Sequence, residues 1–353
     1  MTIHVGILGG GNISGTHAQA ASEIEGVKVA AVAGPNAEKV TRLAGRFGAA
    51  AYPDTEALLR HRPLDLVLIG SPSGLHAEQG IAAARAGLHV LVEKPIDVVT
   101  EKAEALVAEC DRAPVKLGVF FQDRFSPDFA RLKRAIDEGA LGRPILASAR
   151  VKWWRGAEYY GDSRWRGRLA LDGGGALMNQ GIHTIDLLLH LLGDVRRVWA
   201  RAATALHRIE SEDTLVATLE FASGALATYE ATTAAYPGYP RQVEITGSEG
   251  TVVLVQDRVV RADLRTPRPD LMNTDEAAAN PSASSPTISD VRGHKAAIED
   301  LLLAIREDGR PRCDGREGLR SLVLVEALYR SAQTQAPVVL PAGPGRAASS
   351  SYA

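Results

Sequence analysis

Ile3-His4-Val5-Gly6-Ile7-Leu8-Gly9-Gly10-Gly11-Asn12-Ile13-Ser14 runs from an apolar segment through three glycines into residues with helical spacing. An apolar run of this kind suits a strand covered on both faces. The glycines suit a tight strand-to-helix turn, where backbone N–H groups and a helix N-terminus can hold a pyrophosphate. Ser14 falls where the third glycine of G-x-G-x-x-G would stand. A βα turn without a ligand would use the same residues, so the strand–turn–helix context decides for a dinucleotide. Gly9, Gly11, Asn12 and Ile13 are its expected contacts.

The same texture continues downstream. Apolar runs at Val27–Val32, Asp65–Ile69, Leu88–Val92 and Val115–Phe120 alternate with helical spacing at Thr16–Ile24, Ala37–Phe47, Thr55–Arg60, Leu75–Ala86 and Thr100–Cys110. Such alternation predicts an α/β, doubly wound parallel sheet of Rossmann type. Beyond Phe121 the pattern changes. Ser126-Pro127 has the form of an N-cap and first helical residue, opening a helix that stops at Gly139. Ile145–Lys152, Thr214–Phe221, Ala225–Ala231 and Gln242–Thr246 alternate polar and apolar residues. They predict an α+β second domain with a largely antiparallel, open sheet. A long helix is expected from Ala176 to Leu192, and two final helices, near Lys295–Arg306 and Arg316–Ala332, to close that domain. The domains are placed at residues 1–124 and 125–341. Thr266–Ser289 is expected to be a loop or flap, and the tail 342–353 to be disordered.

A length of 353 residues suits two domains with a cleft between them. The formal charge of -2 gives no global pull toward nucleic acid or acidic membranes, so small molecules or copies of the chain are the expected partners. Cys110 and Cys313 form no CxxC or Cys/His cluster, so neither a disulfide framework nor a zinc site is indicated and no metal is expected. Met1-Thr2 leads directly into a strand without a basic n-region, and no apolar run approaches about 18 residues. The expectation is a soluble, unexported protein in a reducing cytoplasm.

The second strand ends in Val32-Ala33-Gly34-Pro35-Asn36, without the acid that would hold an adenosine 2′-hydroxyl. Gly34 and Asn36 are expected at the cofactor. Lys39 and Arg42 can meet a 2′-phosphate, which favours NADP over NAD, or they can simply face water on an amphipathic helix.

Lys94, in Leu91-Val92-Glu93-Lys94-Pro95, stands at the mouth of the same sheet. It could be a solvated strand cap, but Pro95 restricts it to extended conformations and so fixes where its stem leaves the strand. An ammonium beside a nicotinamide can handle a hydroxyl whose hydrogen leaves as hydride. On the long helix Asn179, His183, Asp186 and His190 recur at i, i+4, i+7 and i+11, a polar stripe on an apolar helix that needs buried partners, water or a cleft. A histidine satisfied in the core is the competing reading. Asp172-Gly173-Gly174-Gly175 permits close approach of a ligand, or serves as a hinge. Tyr159, Tyr160, Trp165 and Arg166 can offer stacking faces and a bidentate donor to a polyol, although Trp165 would serve equally as a core plug.

Together these segments resemble the Gfo/Idh/MocA family of NAD(P)-dependent oxidoreductases, from Ile3 to about Pro341. Glu93-Lys94-Pro95 matches its EKP signature, and Ser71-Pro72-Ser73-Gly74-Leu75-His76 its third-strand loop. Gly175-Ala176-Leu177-Met178-Asn179-Gln180-Gly181-Ile182-His183 matches its second signature, with Asn179 where aspartate is usual. The resemblance implies that Lys94 and His183 are the catalytic pair. It implies that Ser71, Pro72, His76 and Glu93 border the cofactor, and that Gln122, Arg124 and Phe125 lie at the cofactor or substrate edge. Trp165 is also placed at the cofactor; Arg124, Tyr160, Arg166 and Asn179 are placed at the substrate. An amide at position 179 can orient a hydroxyl but cannot take its proton. The implied activity is reversible oxidation of a secondary hydroxyl on a sugar, inositol or related polyol, by a homodimer or homotetramer assembled through the open sheet. Two other classes stand beside it: an NAD-dependent redox-assisted glycosidase or lyase, and a dinucleotide-sensing protein without turnover.

Overall fold

The computed structural model describes residues 2–161, 165–272, 283 and 290–341. The chain begins β1 (Ile3–Leu8), α1 (Asn12–Ser22), β2 (Val27–Ala33), α2 (Ala37–Phe47), β3 (Ala50–Tyr52), α3 (Thr55–Leu59), β4 (Leu66–Ile69), α4 (His76–Arg85), β5 (His89–Val92), α5 (Thr100–Arg112) and β6 (Leu117–Val119). Their sheet is wholly parallel, in the order β3-β2-β1-β4-β5-β6. From β1 the chain winds one way through β2 and β3, then returns to place β4 on the other side. The carboxyl ends of β1 and β4 therefore flank the crevice in which doubly wound sheets bind ligands.

Burial explains the apolar runs. Val5, Ile7, Leu66 and Leu68 pack into one core and Leu8, Val67 and Ile69 into another, so both faces of the sheet are sealed. The helices follow local rules: Asn36 caps α2 by accepting from the Lys39 N–H, Val40, Leu43 and Ala44 turn inward, and Gly48 ends the helix at φ 62°. α1 begins at Asn12, four residues before its expected start, because Gly11 serves as its N-cap. The three-residue β3 was not foreseen from the sequence.

The second lobe contains α6 (Pro127–Asp137), β7 (Pro144–Lys152), α7 (Ala157–Gly161), α8 (Leu169–Asp172), α9 (Ile182–Leu192), β8 (Val195–Ala203), β9 (Thr214–Phe221), β10 (Leu226–Thr232), β11 (Gln242–Gly247), β12 (Gly250–Val255) and β13 (Arg258–Leu264). After α10 (Arg292–Arg306) and α11 (Gly315–Thr334), β14 (Val338–Val339) completes an eight-stranded sheet, β13-β12-β11-β7-β10-β9-β8-β14. Only the β7–β10 pair is parallel. α9 and the turn before it lie on β7, β9 and β10, while α11 lies on β8. Leu146, Val216 and Leu226 point the other way and are exposed.

Four details differ from expectation. Ser126 precedes α6 but does not cap it through its side chain; its hydroxyl donates to Asp257 O. The long helix is split, with a π-helical turn at Ala176–Gly181 before α9. α10 does not close the second lobe: Ile298 and Leu301 join Val5 and Ile7 against the parallel sheet. Of the expected flap, Ala283 is buried and accepts from Trp154 N, Pro269–Leu271 forms a short turn, and residues 273–282 and 284–289 lie outside the described residues, as does the tail 342–353.

Candidate active site

The glycine turn is shaped for a ligand that approaches the backbone closely. Gly9 has φ 126°, and a Cβ there would fall 2.5 Å from Ser14 Oγ and 2.6 Å from Gly70 O. A Cβ on Gly11 would meet nothing within 4 Å among the described residues. That position is open, and no side chain caps the first turn of α1. Orphan amides beside open space fit a pyrophosphate, so the residues present suit a dinucleotide. A Cβ on Gly10 would lie 3.3 Å from Lys39 Cβ and from Val40 Cγ2, which brings the start of α2 against the turn. The Asn36 side chain is engaged by its own cap bond from Lys39 N, 3.0 Å.

Around this mouth, two expected cofactor contacts turn inward. His76 is buried, with Nδ1 2.7 Å from Pro95 O and Nε2 2.9 Å from Ser71 O, so it ties two loops together. Glu93 is buried and accepts from His17 Nε2 at 2.9 Å, with His294 Nε2 3.7 Å away. Burial alone would raise the Glu93 carboxyl; the hydrogen bond from His17 and the nearby His294 hold it well below the usual range. The ligating atoms of His17, Glu93 and His294 all lie within 4.8 Å of one another. The sequence offered no signal for His294, which arrives from α10. Gln122 stands beside Gly293, its Oε1 buried without a hydrogen-bond partner among the described residues. Ser71 donates to Gln79 at 2.6 Å, and Pro72 opens the short turn Ser73–Leu75.

Lys94 crosses from the parallel lobe to the second. Its Nζ donates to Asn179 O at 2.8 Å, in the π-helical turn. Burial lowers its pKa, against the opposing charges of Glu93, Asp172 and Asp123.

The turn that receives Lys94 is built by charge. Glu212 accepts from Gly175 N at 3.0 Å, Leu177 N at 2.8 Å and Tyr329 OH at 3.0 Å. These bonds satisfy amides that a π-helical entry would leave orphaned. Burial pushes Glu212 up to about 7. Gly175 must be glycine, since a Cβ would sit 1.7 Å from Glu212 O. The preceding segment docks on the first lobe: Cβ atoms at Gly74 and Gly173 would fall 2.5 Å from Ala170 O and 2.6 Å from Val98 Cβ.

Asn179 donates from Nδ2 to Asp172 Oδ1 at 2.5 Å, and its Oδ1 accepts from Gln180 Nε2 at 3.1 Å. Asp172 Oδ2 accepts from Gly167 N at 2.7 Å, and burial pushes this carboxyl up to about 6. One turn on, His183 places Nδ1 3.9 Å from Asp123 Oδ2, with its ring edge-on to Phe121. Burial drives the imidazole down to about 4, Asp123 opposing and Lys94 reinforcing the shift. Asp123 itself is held at about 2, burial being outweighed by Arg241 and His183. Neither Arg241 nor Asp123 was marked as a site residue, because their contact spans 118 positions.

The polar stripe does not share one environment. Asn179 and His183 face Lys94 and Asp123, whereas Asp186 pairs with Arg124 and His190 stacks on Phe129. His183, Asp186 and His190 keep the i, i+3, i+7 spacing of one face within α9, and each meets a different neighbour because each lies farther along the helix. Arg124, expected at the substrate, is buried and engaged, with Nε 2.7 Å from Asp186 and Nη2 2.8 Å from Glu317. Phe125 meets the Arg312 guanidinium, 5.4 Å from its ring centre. Tyr160 shares a hydrogen bond with Thr233 Oγ1 at 2.8 Å, and Tyr159 is the tyrosine that reaches Gln180, at 3.0 Å. The Arg166 guanidinium lies over the Tyr159 ring at 4.1 Å and near Trp165 at 5.5 Å.

Family models agree with this architecture. Residues 3–121 match the oxidoreductase family with NAD-binding Rossmann fold, and residues 129–253 match the GFO/IDH/MocA C-terminal domain. D-apiose dehydrogenase of Paraburkholderia graminis is 29% identical, the match covering 93% of this chain and 87% of that protein. Inositol 2-dehydrogenase of Rhizobium meliloti is 28% identical, over 94% and 97% of the two chains. Among solved structures, the WlbA dehydrogenase from Bordetella pertussis, in complex with NADH and UDP-GlcNAcA, superposes with a TM-score of 0.88 at 34% identity, covering 97% of this chain and 98% of that one. The chain belongs to the GFO/IDH/MocA oxidoreductase family.

Proposed function

We propose that Lys94 and His183 are the reacting pair of an NAD(P)-dependent oxidoreductase that interconverts a secondary hydroxyl of a sugar or polyol with its ketone. The observation that carries this reading is the 2.8 Å bond from Lys94 Nζ to Asn179 O, which seats the strand-end amine in the turn leading to His183. The bound dinucleotide supplies the hydride acceptor, or the donor in reverse. His183, driven down to about 4 by burial, is neutral near pH 7 and able to take the hydroxyl proton. The Lys94 ammonium has further N–H donors for the substrate oxygen. Arg166, over the Tyr159 ring, borders the substrate, and Trp165 the cofactor.

Lys39, packed against the glycine turn, supports acceptance of a 2′-phosphate and so of NADP. Activity measured with each nucleotide on a polyol and sugar panel decides that preference. Lys94→Ala and His183→Ala are each expected to lose about 10²–10⁴-fold in kcat/KM; undiminished turnover in either variant would overturn the roles. As pH falls, protonation of His183 removes the base, so its acid limb is expected near 4.

Among the described residues no helix is long and apolar enough to cross a membrane. We read the compartment as the cytoplasm, supported by the free, buried thiols of Cys110 and Cys313 and checked by cell fractionation. The open face of the eight-stranded sheet, with Leu146, Val216 and Leu226 exposed, is the surface through which copies associate.

A further inference from the structure

Asn179 takes the place of the aspartate usual in the second signature, yet a carboxylate stands next to it. Asp172, seven residues earlier, accepts from Asn179 Nδ2 at 2.5 Å and is itself only 2% exposed. The hydrogen-bond roles along this row are fixed from both ends. A guanidinium can only donate, and Arg155 donates to Gln180 Oε1 at 3.5 Å. The Gln180 amide therefore turns its Nε2 to Tyr159 OH at 3.0 Å and to Asn179 Oδ1 at 3.1 Å. Asn179 must then present Nδ2 to the other end of the row, where an ionised Asp172 can only accept. With these bonds made, the amide keeps one N–H and one lone pair in a fixed direction, beside the carbonyl that receives Lys94.

We propose that Asp172 is the carboxylate that this chain has moved from position 179 to the preceding turn, a positioning residue whose charge fixes which way the Asn179 amide faces the substrate hydroxyl. The inference rests on Lys94 and His183 as the reacting pair. Within its own segment Gly167 N bonds the second Asp172 oxygen, and across the lobes Ala170 and Gly173 pack on Gly74 and Val98. The charged or titratable groups facing it are Lys94, Arg166, Tyr159 and Tyr160. When Asp172 takes a proton, one of its two accepting oxygens becomes a donor and the charge is lost, so Gly167 N and Asn179 Nδ2 no longer both meet a carboxylate and the amide is held less firmly. Activity should therefore fall in two steps on acidification, the first near pH 6 from Asp172 and the second near pH 4 from His183.

The decisive experiment is an exchange. Asp172→Asn places two amides side by side and is expected to lower kcat about 10–100-fold, the worth of a charge-assisted hydrogen bond, and to erase the step near pH 6. Asn179→Asp places two carboxylates in contact, so the pair must share a proton and the first step moves upward in pH. The double variant Asp172→Asn/Asn179→Asp again has one carboxylate and one amide, and should recover kcat to within about threefold, a residual coupling small on the scale of neighbouring sites. Carboxyl-selective NMR titration of Asp172 gives a readout without turnover: its pKa should rise in Asn179→Asp. Multiplying losses in the double variant, an unchanged pH profile in Asp172→Asn, or an unmoved Asp172 resonance would each overturn the inference. Lys94→Ala separates the two levels. Full activity in that variant sinks the reacting pair itself; lost activity together with a failed exchange sinks only the role of Asp172.

Discussion

The two lobes bring their groups to the cleft by different physical means. In the parallel lobe the backbone does the placing: Gly9, Gly11, Ser71 and Lys94 all follow strand ends, and sealed sheet faces leave those ends little freedom. In the second lobe a polar network does it. Glu212 holds the π-helical entry, Asp172 and Gln180 orient Asn179, and the Arg241–Asp123 pair stands beside His183. A backbone-built half tolerates side-chain changes that spare its glycines and core. A network-built half depends on every member, because an unsatisfied buried charge costs more than its bond contributed.

The joint between the lobes is where this contrast breaks hardest. Arg124 leaves the parallel lobe and pairs with Asp186 on α9 and Glu317 on α11, while Ser321 also donates to Asp186 at 3.2 Å. Arg124→Met would strand Asp186 in the core. A loss of about 3–5 kcal/mol is expected, read as a lower urea midpoint, with KM little changed in the protein that still folds. A variant of native stability with a raised KM would instead return Arg124 to the substrate.

A smaller effect should appear at the glycine turn, and in function alone. Gly11→Ala meets no atom within 4 Å among the described residues, so stability should stay within about 0.5 kcal/mol. Dinucleotide, approaching where the new methyl stands, should bind about 10–100-fold more weakly, an overpacking cost of about 1–3 kcal/mol. Gly9→Ala is the internal contrast: its Cβ would collide with Ser14 and Gly70, and the fold itself should suffer. Equal dinucleotide affinity in Gly11→Ala would place the pyrophosphate elsewhere.

The same difference in construction decided what could be read from the sequence. Strands such as Ile3–Leu8 and helices such as Ala37–Phe47 were legible because burial, capping and glycine act within a few residues. Lys94 was singled out from its strand, and His183 from its motif; their roles are the proposal that the variants above test. The pairing of Arg124 with Asp186 was not legible, because the two lie 62 residues apart and no local pattern reports such a pair. Asp172 was read only as the entry to a glycine stretch, and Glu212, Arg241 and His294 gave no signal, for the same reason. The polar stripe was legible as spacing, but not its partners: Asp123, Arg124 and Phe129 meet it from other elements.

The mildest test concerns the face on which the two sheets differ most. Both sides of the parallel sheet are sealed, whereas β7 and β10 run in register and set Leu146 beside Leu226, 50% and 56% exposed. On an isolated chain, Leu226→Lys touches no core and should alter stability by no more than about 0.5 kcal/mol. At an interface between identical copies related by a two-fold axis, the same change enters twice and buries two ammonium groups against apolar partners. Sedimentation velocity should therefore show the native assembly shifting toward single chains while the thermal midpoint of each chain holds. An unchanged sedimentation coefficient would mean that the open face meets only water, and that its leucines are tolerated there as scattered apolar surface usually is.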